Sequence, residues 1–122
     1  MTTDTDIRRI DQNHRRSRAV VHGGTVYTAG QVPSDMSLDV TGQGQQVLDK
    51  IDALLAEAGT DKSKVLSAQV WLRTRDDLAA FNALWDAWVV PDHTPARICG
   101  YVPMNNPDCR IEIQVIAAVG GQ

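Results

Sequence analysis

Aromatic side chains are scarce here, cysteine is nearly absent, and neither a long apolar run nor an excess of positive charge is present. Aromatic residues make up 5% of the 122 residues, which leaves little for stacking nucleobases. Lysine and arginine number 12 against 15 aspartates and glutamates, a net charge of −3, which argues against a general nucleic-acid binder. The two cysteines, Cys99 and Cys109, form no C-x-x-C pair, and His14, His22 and His93 lack metal-ligand spacing, so no metal site is expected. Gly42-Gln43-Gly44 lacks the third glycine of a dinucleotide fingerprint and there is no P-loop, so no nucleotide cofactor is expected either. No stretch approaches the ~18 apolar residues of a membrane span. The opening residues MTTDTDIRRIDQ contain no apolar core of a signal peptide. A cytoplasmic protein with reduced thiols and no membrane contact is the expectation.

Apolar residues at 43% and charged residues at 22% are ordinary for a folded chain. The length suits one domain over residues 1–122, with residues 1–6 as a flexible end. Ile7 to Ile10 reads as an edge strand. Ala19 to His22 and Thr25 to Ala29 read as a hairpin about Gly23-Gly24. From Thr41 the period changes: Val47, Leu48, Ile51, Leu54, Leu55 and Ala58 form one apolar face of a helix, and Gly59 sits where a helix C′ residue is expected. Val65 to Arg73 reads as a strand. Thr74 with Asp77 three residues later suggests a capping box opening a second helix, whose stripe is Leu78, Phe81, Leu84, Trp85 and Trp88 and which Pro91 stops. Trp85 and Trp88 at this spacing read as core or interface aromatics.

The last third carries the candidate chemistry. Arg97 to Val102 and Arg110 to Val119 read as neighbouring strands joined by a turn of Pro103, Asn105, Asn106, Pro107 and Asp108. Alternation puts Arg97, Cys99 and Tyr101 on one face of the first strand. On the second, the apolar row Ile111, Ile113, Val115 and Ala117 leaves Glu112 and Gln114 opposite. The hairpin reading therefore gathers a guanidinium, a thiol, a phenol and a carboxylate on one side. Arg97 offers a charged fork for a carboxylate, or else a structural ion pair with Glu112 or an aspartate. Glu112 can orient water or move a proton, or simply accept from Arg97 or an amide. Cys99 reads as a small hydrophobe more readily than as a nucleophile, since only His93, six residues upstream, offers a base. The Arg8, Arg9, Arg15, Arg16 and Arg18 cluster reads as a solvated arm.

The element order implies an α+β sandwich: a mixed sheet with two helices packed on one face. The other face, left partly apolar, calls for association or a ligand, and a closed homo-oligomer meets that need.

YTAGQVP at 27–33, QQVLDKIDALLAEAG at 45–59, FNALWDAW at 81–88, TPARICGYVP at 94–103 and CRIEIQVIAAV at 109–119 together resemble the RidA family of reactive-intermediate (enamine/imine) deaminases. The resemblance spans roughly residues 18–119. It implies a chorismate-mutase-like fold, a homotrimer, and active sites in clefts between subunits. It further implies that Arg97 binds a substrate carboxylate, that Cys99, Asn82 and Gly30 line the site, and that Glu112 attends the hydrolytic water. The implied reaction is cofactor-free hydrolysis of a carboxylate-bearing imine or enamine, such as 2-aminoacrylate, to a 2-keto acid and ammonia. Such imines hydrolyse unaided, so the barrier to be lowered is modest.

Some positions depart from the family pattern. His14-Arg15-Arg16 stands where typical members carry a G-P-Y tyrosine, and Ala29 replaces the serine before Gly30. These changes resemble a less characterised branch. With Arg15 or Arg16 replacing a phenol, the expected cleft is more cationic and its expected substrate more acidic, a dicarboxylate among the candidates, with Arg16 as a binding residue. A non-catalytic trimer holding small carboxylate metabolites in the same cleft is the alternative.

Overall fold

In the 18-residue helix α1, Val40–Glu57, the face bearing Val47, Leu48, Ile51 and Leu55 is almost fully withdrawn from solvent. Its first turn is closed by Asp39, whose side chain accepts from the Gly42 N–H at 2.9 Å; losing such a cap costs about 1 kcal/mol. Gly59 follows the helix at φ +88°, a left-handed conformation that a residue with a Cβ adopts at a cost. The computed structural model describes residues 6–120, so the flexible end expected over residues 1–6 lies, apart from Asp6, outside the described residues.

The strands are β1 Arg8–Ile10, β2 Ala19–His22, β3 Thr25–Thr28, β4 Val65–Leu72, β5 Ala96–Tyr101 and β6 Ile111–Ala118. They form one mixed sheet in the order β1-β2-β3-β6-β4-β5. All neighbours are antiparallel except β4 and β5. Helix α2, Leu78–Trp88, carries the chain from β4 back to its parallel partner β5, the crossover that a parallel pair requires. Both helices bury their apolar stripes in one core with Val26, Ala68, Val70, Leu72, Ile111, Ile113 and Val115. Trp88 Nε1 donates to Asp52 Oδ1 at 3.0 Å and ties the helices together. The expected architecture of a mixed sheet with two helices on one face is observed.

Two local expectations are corrected. Residues 97–102 and 110–119 are not a hairpin: β4 lies between β5 and β6. The connecting turn spans the end of β4, with Val102 N–H donating to the Leu72 carbonyl and Arg73 N–H to the Arg110 carbonyl, each at 3.0 Å. The capping box at Thr74 does not form either. Thr74 makes no side-chain cap bond, a short 3₁₀ turn at Arg75–Asp77 precedes α2, and the buried Asp77 carboxylate instead receives Arg110 Nη1 at 3.3 Å.

Candidate functional site

The strand register decides where the candidate residues point. Residues paired across neighbouring strands share a face. Arg97, Cys99 and Tyr101 pair with Ala68, Val70 and Leu72 of β4, which pair with Val115, Ile113 and Ile111 of β6. All of these lie on the helix-covered face. Glu112 and Gln114 pair with Trp71 and Gln69, on the opposite, open face. The expected gathering of Arg97, Cys99, Tyr101 and Glu112 on one side therefore does not occur within one chain. Two strand spacings, about 10 Å, and the sheet itself separate the guanidinium strand from the carboxylate strand.

Instead there are two groups. On the helix side, at the sheet edge, Arg97 Nη1 donates to Asn82 Oδ1 of α2 at 3.0 Å. The guanidinium lies 5.5 Å from the Phe81 ring centre and 5.3 Å from that of Trp85, within cation–π range. Among the described residues Arg97 meets no carboxylate, so the ion pair with Glu112 or an aspartate is not what holds it. The residue as a whole is exposed. Cys99 follows, half-buried against the core; burial pushes its thiol pKa up and the nearby Arg97 charge opposes this more weakly. A neutral thiol is a poor nucleophile, and His93 turns its Nδ1 to the Pro91 carbonyl. Tyr101 lies beside them, exposed, with the Arg75 guanidinium 5.9 Å from its ring centre.

On the open side the Glu112 carboxylate lies directly against the backbone of Gly30. A Cβ placed on Gly30 would fall 2.0 Å from Glu112 Oε2, so any side chain at this position displaces the carboxylate. The segment is fixed to β6 by a reciprocal pair of bonds, Gln31 N–H to the Ile113 carbonyl at 2.8 Å and Ile113 N–H to that of Gln31 at 3.1 Å. Ala29 precedes it, its N–H bonded to the Arg18 carbonyl at 2.8 Å. That bond brings the loop between β1 and β2, with Arg15 and Arg16, to this end of the sheet. Arg16 donates from Nη1 to the Asp11 carbonyl at 2.8 Å, and the same aspartate pairs with Arg18 at 3.2 Å.

A cavity of about 170 Å³ adjoins Glu112, walled by Val32, Met36, Met104, Asn105, Asn106 and Cys109. None of these was singled out from the sequence as a site residue, because the walls come from two loops that alternation does not describe. Gln43 was missed too. It is fully buried in α1, donates to the carbonyls of Met36, Leu38 and Asp108 at 2.9 to 3.1 Å, and accepts from Arg110 N–H at 2.7 Å. One side chain thus anchors both loops. The signal was present: a glutamine four residues before Val47 stands on the apolar stripe, where a polar group must be satisfied within the protein.

Among the described residues no cluster of three or more histidine, cysteine or acidic side chains can hold a metal ion, and no helix is long and apolar enough to cross a membrane.

This geometry can be set beside known proteins. A family model described as endoribonuclease L-PSP matches residues 6–119. A RutC family protein of Haemophilus ducreyi is 42% identical over 116 residues, 95% of this chain and 99% of its own. The 2-iminobutanoate/2-iminopropanoate deaminase of Escherichia coli is 30% identical over 102 residues, 78% of this chain and 80% of its own. Among solved structures, a YjgF family member from Neisseria meningitidis superposes with a TM-score of 0.92 at 38% identity, covering 96% of this chain and 98% of that one. With nearly its whole length matched, the chain belongs to the endoribonuclease L-PSP family, which embraces the RutC and Rid/YjgF proteins.

Proposed function

We propose that the protein hydrolyses carboxylate-bearing imines and enamines to 2-keto acids and ammonia, without a cofactor, at a site completed by a second copy of the chain. The relationship to a 2-iminobutanoate/2-iminopropanoate deaminase carries the reading, and the chain keeps chemistry suited to it. On this proposal Arg97, steadied by Asn82 and the two aromatic rings, anchors the substrate carboxylate. Cys99 and Tyr101 form the adjoining wall. Glu112, against Gly30 and next to Ala29, takes a proton from water as its oxygen adds to the carbon of the protonated imine, passes that proton to the carbinolamine nitrogen, and takes up the hydroxyl proton as the carbon–nitrogen bond breaks to give carbonyl and ammonia. An enamine must first be protonated at carbon to enter this path. Arg16, already bonded to Asp11, adds positive charge at the rim.

The two faces of the sheet support an assembly. Arg97 and Glu112 lie on opposite sides of one sheet, so a small imino acid touches both only if a neighbouring subunit supplies one of them. A homotrimer, in which each cleft takes Arg97 from one chain and Glu112 from the next, meets this need and covers the open face. RNA cleavage, which the family's description suggests, draws little support from a chain of net charge −3, because phosphate binding rests on a basic surface.

The test is keto-acid release from 2-imino acids generated by an amino-acid oxidase, with wild type and Arg97→Ala compared. Acceleration by the wild type should fall by about 10²-fold in the variant, the scale of a lost positioning contact. No acceleration for any imine would leave the reversible binder of carboxylate metabolites as the better description.

A further inference from the structure

The proposed reaction leaves unused a groove of about 460 Å³ between α1 and the loop joining β1 to β2, walled by Asp11, Arg18, Lys50, Ala53, Leu54 and Glu57. Lys50, Ala53, Leu54 and Glu57 stand at i, i+3, i+4 and i+7, one face of α1. That face reads cation, two apolar groups, anion. Lys50 and Glu57 lie about 10.5 Å apart along the axis, and among the described residues neither charge forms an ion pair. Across the groove Arg18 and Asp11 are already paired at 3.2 Å. Arg8 Nη2 donates to the Glu57 carbonyl at 2.8 Å and leaves the exposed Glu57 carboxylate unpaired. Partial burial, and more weakly the Arg18 charge, hold the Lys50 pKa below its ordinary value; an anion placed there offsets both. Lys50 Nζ donates to the Val32 carbonyl at 2.7 Å, and the Arg18 carbonyl accepts from Ala29 N–H at 2.8 Å. The two cationic residues of the groove thus hold both ends of the segment 29–32, which contains Gly30.

We propose that this groove is an effector site for ω-amino acids of about three or four methylenes, linked to Gly30 through Lys50. Such a molecule carries a carboxylate at one end, an ammonium at the other and an apolar chain between, the complement of what α1 presents. Charge-assisted bonds of about 2.8 Å at both ends leave about 5 Å of the helix spacing to be spanned. The chain of 4-aminobutanoate or 5-aminopentanoate covers that length, with its methylenes over Ala53 and Leu54. A simple anion meets Glu57 and a simple cation meets Lys50, so neither suits both ends. Glycine carries both charges, but too close together to reach both partners. The Lys50 ammonium has three donors, enough for the ligand carboxylate and the Val32 carbonyl together. Occupancy therefore firms the segment against which Glu112 lies. The site stands apart from the deaminase reading; only an effect on the rate would rest on it.

The test is calorimetric titration of the intact protein with glycine, 4-aminobutanoate, 5-aminopentanoate, butanoate and butylamine. The two ω-amino acids should bind about tenfold tighter than the other three, the scale of one charge-assisted bond. Glu57→Gln should bring 4-aminobutanoate down to the level of butanoate, and Lys50→Met should bring it down to that of butylamine. Glu57 is exposed, so its variant serves if Lys50→Met fails to fold. Arg97→Ala, which removes the carboxylate anchor of the proposed cleft, should leave the preference intact. At saturation, hydrogen exchange of the Ala29 and Gln31 amides should slow severalfold. No binding, equal binding of glycine or butanoate, a preference unchanged in Glu57→Gln, or a preference lost with Arg97 each overturns the site. Unchanged exchange overturns the link to Gly30. Imine hydrolysis measured on the same samples keeps the two readings apart: the preference without rate acceleration sinks the deaminase and leaves the groove standing.

Discussion

The same strands present two faces, and the contrast between them organises the molecule. On the helix side, Ile51, Val70, Leu72, Phe81, Ile111 and Ile113 are completely buried. On the open side, Gln69 and Gln114 mingle with apolar groups: Ile98 is 58% exposed and Tyr27 44%, and Leu66, at the β4 irregularity, is 54% exposed. One face is a finished core and the other is unfinished. Glu112 belongs to the unfinished face. Arg97 belongs to the rim of the finished one, just beyond the α2 aromatics. The difference separates what holds the chain together from the surface that the proposed site draws on, and it gives mutations on the two faces different signatures.

The largest effect is expected from the finished face. Ile51→Ala removes a fully buried side chain from the layer between α1 and the sheet. It should cost about 2–5 kcal/mol of unfolding free energy, read as a lower urea midpoint with an unchanged slope. The open face should respond otherwise. Ile98→Asp places a carboxylate on an apolar patch without touching the core. Its expected result is a cooperatively folded chain that sediments at the mass of one copy and no longer hydrolyses imines. A variant that stays assembled would move the contact surface away from β5 and with it the proposed cleft. A variant that dissociates yet keeps full activity would show that one chain suffices.

The two faces also differ in how far they could be read from sequence. The helix-side core was legible because period alone reports it: the α1 stripe, the α2 stripe and the alternating row of β6 all point inward as expected. Period says which residues of one strand share a face, and is silent on which strands are neighbours. Asn105, Asn106, Pro107 and Asp108 have the composition of a hairpin turn, and consecutive strands more often neighbour each other than not. The α2 crossover instead sets β5 parallel to β4, and β6 inserts on the far side of β4. That single topological fact turned a four-residue cluster into two groups on opposite faces. The Thr74 cap failed for a related reason: Asp77 was claimed by Arg110, 33 residues away, a partner that no local window contains. Gly30, named through the family resemblance, lies against Glu112, which alternation along β6 had already set opposite the apolar row.

The smallest effect belongs to a polar contact within the finished face. Asp52 is half-buried between the helices, accepting from Trp88 Nε1 at 3.0 Å. Desolvation raises its pKa above 3.8, with the Trp88 bond and the Lys62 charge opposing the shift. A carboxyl group with a raised pKa binds its proton more tightly folded than unfolded. Its favourable contribution is therefore complete below 3.8 and is lost as pH rises through the higher folded value. Asp52→Asn keeps an oxygen for the indole N–H and removes the charge. The variant should show a flatter dependence of stability on pH just above 3.8, measured by urea denaturation across the acid range. Because the group is only partly withdrawn from solvent, the change should be slight beside that of Ile51→Ala. Wild-type and variant profiles that run parallel through this window would mean that solvent, not the interior, sets the Asp52 charge, and the helix junction would then belong electrostatically to the surface.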